Sequence, residues 1–589
     1  MIRKQSMPVL TFAILALMFC STSRAQQPAP VDEKPEEPKT GPINGKVVND
    51  NGQPLAYASV SVRAFASQGQ GRSTTTDSEG SFQVSGLDRA VYLISAYVPA
   101  YVSPPRDPDE TQATYRVGDS VRLVLIKGGV ITGTVTNSSG EPVIAVRVRA
   151  SMIRDGNGQS SRYALSSRER TTDDRGVYRI YGLAAGTYVV SAGGGGNFSG
   201  FNVNAYDTDT PTFAPSSTRD TAVEINVRAG EEAANVDIRY RGEPGHVVSG
   251  IASGPSAATQ PSGFSVILNP VFNGVSQSSN SSFQPPGSRG FAFYGIPDGD
   301  YDVIAQTSLG GGESATSESR RIKVRGADVT GIELTTKPLS AITGRVALEE
   351  TKAPECKGKR RPLFTETLVT LWRNEKYAAK DQPQVIAPMG VSTLPDKQGD
   401  FALRNLAGGQ YRFNARFFAK YWYLQSISLP PAAVAAAKGA PANRPTDATR
   451  NWTTLKPGDR LSGLTITLGE GAASFHGQIK LAEDQKLAPQ LFVYLAPGER
   501  EKAEDVLRFF ASQVSADGTF ALNNLPPGRY WAIVKPAAES ESSILSKLRL
   551  PDETDARAKL RGEAEVAKTE IEFRPCQNVT DYSLPLKPR

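Results

Sequence analysis

A short sequence pattern occurs five times along the 589-residue chain, and this repetition limits the fold more than any other feature. Each copy has a turn that ends in Gly, an aromatic residue shortly after it, then Leu or Ile, and finally a Tyr followed by alternating aliphatic residues. Self-similarity of this kind is the signature of repeated structural units. The chain is therefore predicted to be an array of similar domains. The copies begin at Thr76, Asp173, Gly287, Asp396 and Ala516.

The turn in each copy explains two of its residue types. The side chain of Asp in Asp-x-x-Gly can accept hydrogen bonds from backbone amides two residues on, and Gly takes the positive φ that closes the turn. The turn is therefore predicted to join two antiparallel strands. The turn residues with this predicted role are Asp77, Gly80, Asp173, Gly176, Gly399 and Gly518.

Apolar and polar residues alternate after the turn. In the second copy Tyr178 and Ile180 alternate with Val177 and Arg179, which is the period of two that is typical of a half-buried strand. Tyr188 begins the next inward-facing set. A buried tyrosine at this position is expected to bond to nearby backbone through its hydroxyl group.

The repeats predict an all-β protein, a tandem array of about five antiparallel seven-stranded β-sandwiches joined end to end by short linkers. The second is expected to carry a long loop at 193–218, the fourth a long insertion at 431–450, and the fifth short helices that start near Glu499 and Asp552. The expected limits are 43–128, 129–244, 245–340, 341–472 and 473–589.

The N-terminus indicates export. Residues 1–25 have a positive start, a short apolar run and small residues at Ser23 and Ala25, which predicts a signal peptide cleaved after Ala25. Residues 26–42 are rich in Pro and charge and are predicted to form a tether. The bulky Phe19 before Cys20 disfavours a lipoprotein. We expect a periplasmic, cell-surface or secreted protein with no membrane span in the mature chain.

The mature chain has two cysteines, Cys356 and Cys576. Cysteines of exported proteins commonly pair, but these two lie in different repeats. A disulfide and two separate buried thiols both remain open from the sequence.

The charge pattern gives little support to nucleic-acid binding. The formal net charge is +6, and 357–362 is the one basic run that stands out. A nucleic-acid binder normally concentrates basic and aromatic residues on one face. We expect no nucleic-acid partner.

No catalytic constellation is recognisable. The chain has two histidines, His246 and His476, each just before a Gly-x strand and neither followed by Glu at helical spacing, so a zinc site is not predicted. Acidic turns such as the one at Asp77 lack the ligand series of a calcium loop. We expect no metal, no cofactor and no enzyme activity.

One aromatic group could bind a glycan. Tyr421, Trp422 and Trp452 lie close to the long insertion of the fourth unit, and exposed rings stack on the apolar faces of sugars. The alternative is that these rings pack in the core or between domains.

The chain resembles the carboxypeptidase regulatory-like domains. The motifs that carry the resemblance are Gly-x-Val, Gly-x-Pro-hydrophobic, Thr-Asp-x-x-Gly-x-Phe/Tyr and Leu-x-x-Gly-x-Tyr-x-Val-x-Ala, and they match best in the first two units. The resemblance implies transthyretin-like β-sandwiches, often grouped with the starch-binding-like fold. It also implies an exported bacterial array with roles in carbohydrate or protein binding.

These observations favour an exported, non-enzymatic binding or scaffold protein whose partner is a polysaccharide or a cell-envelope protein. The alternative is an accessory protein of a peptidase or glycosidase system with an unrecognised catalytic site between domains.

Overall fold

The structure is a computed structural model that describes residues 40–586, apart from eleven internal gaps. The predicted signal peptide and most of the predicted tether lie outside the described residues, as do parts of the two long loops. The gaps are 66–70, 105–112, 159–166, 195–204, 255–262, 273–274, 277–279, 375–389, 431–444, 481–490 and 537–546. No helix in the described part is long and apolar enough to cross a membrane.

The prediction of an all-β array of sandwiches is confirmed, with one difference in strand number. Five successive β-sandwiches, here called sandwiches 1 to 5, occupy 40–127, 129–239, 246–338, 340–470 and 473–585. Sandwich 5 has seven strands among the described residues, whereas the others have eight or nine because short strands form in their connections.

Sandwich 1 has two four-stranded sheets, ordered β4-β1-β8-β6 and β3-β2-β5-β7. Its strands are β1 (Thr40–Asn49), β2 (Ser59–Ala64), β3 (Arg72–Thr75), β4 (Ser81–Asp88), β5 (Val91–Tyr97), β6 (Tyr101–Val102), β7 (Tyr115–Arg116) and β8 (Ser120–Lys127).

Sandwich 2 repeats this plan, with sheets ordered β12-β9-β16 and β11-β10-β13-β14, to which β17 and β15 are added. Its strands are β9 (Gly129–Thr136), β10 (Arg147–Asp155), β11 (Ser167–Thr171), β12 (Val177–Leu183), β13 (Gly186–Ala192), β14 (Thr212–Phe213), β15 (Ile225–Val227), β16 (Glu232–Ala233) and β17 (Ile238–Arg239), and a 3₁₀ turn covers Arg219–Thr221.

In sandwich 3 the two layers are joined into one nine-stranded sheet because β24 pairs with a strand of each layer. Its strands are β18 (His246–Ser253), β19 (Phe264–Phe272), β20 (Val275–Ser276), β21 (Asn280–Gln284), β22 (Gly290–Ile296), β23 (Gly299–Gly310), β24 (Glu313–Ser317), β25 (Arg320–Val324) and β26 (Val329–Pro338).

Sandwich 4 has sheets ordered β30-β27-β35-β32-β33 and β29-β28-β31-β34. Its strands are β27 (Ser340–Glu349), β28 (Leu368–Arg373), β29 (Gly390–Thr393), β30 (Asp400–Leu406), β31 (Gly409–Arg416), β32 (Trp422–Leu429), β33 (Thr446–Asp447), β34 (Thr453–Leu455) and β35 (Arg460–Glu470), and 3₁₀ turns cover Pro354–Cys356 and Phe364–Glu366.

Sandwich 5 has sheets ordered β39-β36-β42 and β38-β37-β40-β41. Its strands are β36 (Ala473–Lys480), β37 (Leu491–Pro497), β38 (Phe510–Gln513), β39 (Thr519–Leu525), β40 (Gly528–Pro536), β41 (Glu570–Phe573) and β42 (Asn578–Pro585), with helix α1 (Thr554–Ala567) and 3₁₀ turns at Arg500–Lys502 and Val506–Arg508. Helix α1 packs Leu560 and Ala564 against Tyr494 on the outer face of the second sheet.

The prediction of purely antiparallel sheets was wrong. In every sandwich the first strand pairs in parallel with a strand near the end of the unit, as β1 does with β8 and β27 with β35. The parallel pair arises because the chain passes through the opposite sheet before it returns beside its starting strand.

The Asp-x-x-Gly turn also differs from the hairpin that the sequence predicts. Asp77 Oδ1 accepts hydrogen bonds from the amides of Glu79 (2.9 Å) and Ser81 (2.8 Å), and Gly80 has a φ of +70°. The strands on either side, β3 and β4, belong to different sheets. The turn therefore carries the chain across the sandwich. The same geometry recurs at Asp173, with positive φ at Gly176, Gly399 and Gly518.

In every sandwich a buried tyrosine stabilises the turn that precedes it, which is the β4–β5 turn in sandwich 1. Its hydroxyl donates to the carbonyl oxygen four residues earlier, at distances of 2.6–3.0 Å, which confirms the partner expected for a buried tyrosine. Burial raises the pKa of these hydroxyls, so they remain donors at any physiological pH. The tyrosines are Tyr92, Tyr188, Tyr301, Tyr411 and Tyr530.

Candidate functional site

The strand that follows the Gly-ending turn of the repeat contains a bulge in all five sandwiches. The residue before the final Leu or Ile of this strand has a positive φ of 58–71°, and the strand register shifts at this point. Glycine and asparagine are the residues that adopt this conformation most readily. The bulge residues are Gly86, Gly182, Gly295, Asn405 and Asn524.

The bulge of sandwiches 2 to 5 contacts the preceding sandwich. In sandwich 2, a Cβ added to Gly182 would lie 3.8 Å from the Cα of Ala100 in sandwich 1. In sandwich 3, a Cβ at Gly295 would lie 2.6 Å from the carbonyl oxygen of Asp209. Glycine thus allows the two backbones to approach closely.

The two asparagines make the same junction with their side chains. Asn405 accepts a hydrogen bond from the Ser314 amide (2.7 Å) and donates one to the Gly312 carbonyl (3.0 Å). Asn524 donates to the carbonyls of Ala419 (2.9 Å) and Trp422 (2.8 Å). In sandwiches 3 and 4 the contacted segment follows the strand that bears the buried tyrosine, so both junctions use the same parts of the repeat.

Sandwiches 4 and 5 are also joined covalently. Cys356 in a 3₁₀ turn of sandwich 4 and Cys576 before β42 form a disulfide with a Cα–Cα distance of 5.4 Å across 220 residues of sequence. The backbone amide of Cys576 donates to the Gly471 carbonyl in the linker (3.0 Å). The disulfide therefore closes over the linker between the two sandwiches.

Sandwich 1 contacts sandwich 4, which is distant in sequence. The guanidinium of Arg116 lies 5.0 Å from the ring centroid of Phe418 and donates to the Phe418 carbonyl at 3.4 Å. The same guanidinium is 4.0 Å from the buried carboxylate of Glu366, which also pairs with Arg360 at 3.2 Å. We call this contact the 1–4 seam.

An open cleft of about 880 Å³ lies along the 1–4 seam. Arg89 and Ala90 of the β4–β5 turn line it from sandwich 1, and the outer face of β27, β30 and β35 lines it from sandwich 4. Its polar lining includes Arg345 and Arg404 together with four threonines, Thr343, Thr365, Thr393 and Thr465. The volume is within the range of ligand sites, and the arginine and threonine side chains offer hydrogen bonds to a ligand.

The two carboxylates of this cleft already have partners. Asp396 Oδ1 accepts from the amides of Gln398 and Asp400, both at 2.9 Å. Asp400 Oδ1 is 3.1 Å from Arg345 Nε. These contacts make the two groups parts of a turn and an ion pair.

The predicted aromatic platform does not form as an exposed surface. Trp422 is 0% exposed in the core of sandwich 4, so its inclusion in a glycan site was wrong. Tyr421 is half-buried, with the ammonium groups of Lys359 and Lys420 at 4.7 and 5.6 Å from its ring centroid. Trp452 is half-buried, and its Nε1 is enclosed without a hydrogen-bond partner among the described residues.

The two histidines lie far apart in sequence and in different sandwiches. His246 begins β18, with Nε2 3.3 Å from Asp298 Oδ1. His476 lies in β36, with Nε2 3.0 Å from Asn523 Oδ1. Within the described residues, no group of three or more His, Cys, Asp or Glu is arranged to hold a metal ion.

Sequence reasoning missed the junction and seam residues. The bulge position was visible as a Gly or Asn before Leu or Ile in every repeat, and this small-residue preference is the signal that could have found Asn405 and Asn524. Arg116 and Glu366 have no sequence signal because their sandwiches are separated by two others.

Several solved structures have a detectable likeness to this chain at low sequence identity. The Bacillus anthracis TIE protein is 13% identical over 51% of each chain (TM-score 0.14), so this chain spans about half of that protein. The major pilin subunit BcpA of Bacillus cereus is 12% identical over 51% of this chain and 100% of its own (TM-score 0.14). A Streptococcal ancillary pilin is 11% identical over 58% of this chain and 99% of its own (TM-score 0.16).

The family comparison concerns sandwich 1. No curated protein is significantly similar to the chain. The family model that matches does so over residues 42–124, which span the first strand to most of β8 and include the Asp77 turn and the Gly86 bulge. This model is that of the carboxypeptidase regulatory-like domain, so the resemblance is confirmed over residues 42–124 of sandwich 1.

Proposed function

We propose that this chain is an exported, non-enzymatic scaffold that holds five sandwiches in one fixed arrangement and presents a shared surface to a binding partner. The observation that carries the proposal is the repeated junction, in which the bulge of each sandwich from 2 to 5 is seated on the one before it.

The contacts between sandwiches favour a fixed arrangement over a flexible chain. Domains that share a small interface normally move relative to each other. Here the junctions use paired hydrogen bonds or close backbone contact, sandwiches 4 and 5 share a disulfide, and Arg116 ties sandwich 1 to sandwich 4. A fixed arrangement is useful where residues from different sandwiches must bind one partner, because the binding surface is then preorganised.

The alternative is an accessory protein with a catalytic site between domains, and the cleft at the 1–4 seam is the observation in its favour. Paired carboxylates in such a cleft could act as acid and base. The contacts of Asp396 with the turn amides and of Asp400 with Arg345 make these two carboxylates poor candidates, because each already stabilises local structure.

The fixed arrangement is tested by small-angle X-ray scattering on the full chain. The wild type should scatter as one compact particle, and Arg116→Ala should increase the radius of gyration because it removes the contact of sandwich 1 with Phe418. Arg63→Ala, an exposed change on sandwich 1, is the matched control and should leave the scattering unchanged. A wild type that scatters as freely jointed sandwiches contradicts the proposal.

The absence of catalysis is tested with the same protein preparations. Purified chain should not hydrolyse casein or a panel of polysaccharides above the level of a blank. A turnover that disappears in the double variant Asp396→Asn, Asp400→Asn contradicts the proposal and supports the alternative.

A further inference from the structure

Four basic side chains gather next to the 1–4 seam. Lys357 and Lys359 belong to the basic run of sandwich 4, and Arg416 and Lys420 lie at and just after the end of β31. We call these four residues the basic patch. Lys359 and Lys420 both lie over the ring of Tyr421, so the two separate segments converge.

Aromatic rings contact three of the four cations of the patch, Lys359, Arg416 and Lys420. Phe418 lies between Arg416, at 5.6 Å from the ring centroid, and Arg116, at 5.0 Å. Cation–π contacts of this kind stabilise a positive group without neutralising it. The patch therefore keeps its full positive charge at the surface.

Two of the three acidic side chains in 350–366 are engaged by other cations, and Glu470 nearby accepts from the Thr351 amide. Glu366 pairs with Arg360, and Glu350 pairs with Arg361. Glu355 is the acidic side chain of this segment for which the described residues show no ion pair. Among the described residues, the four side chains of the patch likewise show no carboxylate partner, so a positive potential is left over at this surface.

We propose that the basic patch binds an anionic polysaccharide of the uronic acid type. The inference rests on the proposed scaffold function and names the class of its partner. A polyuronate carries a carboxylate on every ring along an extended chain, which matches lysines that act as point charges spread over a surface. Its hydroxyl groups suit the threonine-lined cleft that opens along the same seam at Thr365.

The same observations disfavour other polyanions and surfaces. Single-stranded nucleic acid needs open aromatic faces for base stacking, but Tyr421 and Phe418 are each contacted by two cations. A membrane surface or a protein partner would need exposed apolar anchors. The large hydrophobic side chains that are exposed in the described residues lie elsewhere: Tyr57, Tyr97, Ile144, Val177, Val223, Ile251, Tyr294 and Val566.

The basic run is anchored on both sides, which lowers the cost of binding. Cys356 before it is fixed by the disulfide to sandwich 5, and Pro362 after it is buried. A segment that is already ordered loses little conformational entropy when a ligand binds.

The test is biolayer interferometry of the full chain against immobilised polygalacturonate, at increasing NaCl concentration. The wild type should bind, with an affinity that falls steeply with salt. The quadruple variant Lys357→Gln, Lys359→Gln, Arg416→Gln, Lys420→Gln should bind roughly tenfold more weakly or worse. A control variant with Gln in place of four exposed lysines elsewhere, Lys46, Lys323, Lys502 and Lys559, loses the same net charge and should bind like the wild type.

Each alternative outcome overturns the inference. These outcomes are no binding of polygalacturonate by folded wild type, equal loss in both variants, or stronger binding of neutral dextran, single-stranded DNA or anionic phospholipid vesicles. Circular dichroism and scattering of the same variants report on folding and on the arrangement of the sandwiches. Lost binding with unchanged scattering therefore concerns the ligand alone and leaves the scaffold proposal standing.

Discussion

Asn405 of sandwich 4 accepts a hydrogen bond from the backbone amide of Ser314 in sandwich 3 at 2.7 Å. Because Asn405 has a φ of +63°, its side chain projects from the bulge toward the preceding sandwich and also reaches the Gly312 carbonyl. Asn524 occupies the equivalent bulge one sandwich later and reaches sandwich 4 by donating to the carbonyls of Ala419 and Trp422. One backbone conformation thus serves both as a strand bulge and as the contact between units.

Replacing Asn405 by Gly should weaken the junction between sandwiches 3 and 4 and leave each sandwich folded. Glycine keeps the positive φ, so only the two side-chain hydrogen bonds are lost, at a cost of about 1–3 kcal/mol. Limited proteolysis should then cut faster near the linker at Leu339. An equal cleavage rate in wild type and variant contradicts this expectation. Asn451→Gly is the control: it removes a side-chain hydrogen bond to the Asp447 carbonyl within sandwich 4, away from the junction, and should leave cleavage near Leu339 unchanged.

Replacing Tyr92 by Phe should destabilise sandwich 1 by about 1 kcal/mol, because the Asp88 carbonyl loses the hydroxyl that donates to it at 2.8 Å. Tyr57→Phe in the same sandwich removes a hydroxyl from a side chain that is 78% exposed and should have no effect. Differential scanning calorimetry of the full chain measures both. If both variants change the unfolding temperature by the same amount, the hydrogen bond from the Tyr92 hydroxyl does not stabilise the sandwich.

The fold was largely predictable because the signals that specify it are local. Alternation of residues such as Tyr178 and Arg179 and the Gly that ends each turn act within a few positions of the chain. The sheet to which a strand belongs is decided by long-range pairing, so the hairpin at Asp77 and the antiparallel closing strands were predicted wrongly.

The candidate site was less predictable for the same reason. Arg116 and Phe418 are 302 positions apart in sequence, and no pattern within one repeat indicates that they meet. Trp422 was misjudged because alternation shows that one face of a strand is buried without showing which one.

Gly176→Ala should destabilise sandwich 2 more than Gly158→Ala does. Both glycines have positive φ, at +71° and +77°, so both substitutions carry the backbone strain of about 1 kcal/mol. A Cβ at Gly176 would also lie 2.5 Å from the Val135 carbonyl oxygen, whereas nothing lies within 4 Å of one at Gly158. If thermal unfolding shows the same loss of stability for both variants, the structure relaxes around the added Cβ at position 176 and the prediction is wrong.

Replacing Cys356 and Cys576 by Ser should destabilise sandwiches 4 and 5 by roughly 4 kcal/mol, because the disulfide closes a long loop. All four tryptophans lie in these two sandwiches, so tryptophan fluorescence in a urea titration isolates their unfolding. Wild type in dithiothreitol should behave like the variant. An unchanged urea midpoint contradicts the expected role of the crosslink.

Acid should weaken the turn at Asp173. Hydrogen bonds from the Val177 amide and from Arg175 hold the pKa of this carboxyl below its usual range. A carboxyl whose pKa is lowered on folding stabilises the folded state above its unfolded pKa, and this stability is lost as the pH falls through the folded pKa. Asp173→Asn keeps an acceptor oxygen that does not titrate.

The wild type should therefore lose more thermal stability than Asp173→Asn when the pH falls from about 5 to about 2. Asp174→Asn, at the exposed neighbouring position, is the matched control and should respond to acid as the wild type does. If Asp173→Asn and the wild type respond identically, the ionised carboxylate has no special role in the turn.

The junction geometry also bears on how single units can be taken out of this chain. The loop that receives Asn524 belongs to sandwich 4, so a fragment that starts at β36 keeps its core but leaves both side-chain donors without their acceptors. The unit that can be transplanted intact is a bulge together with the loop on which it sits. Exchange of sandwiches between related arrays should succeed where the bulge and the loop that receives it are transferred together. This matters most at junctions with asparagine in the bulge, because there the side-chain hydrogen bonds also need their partners.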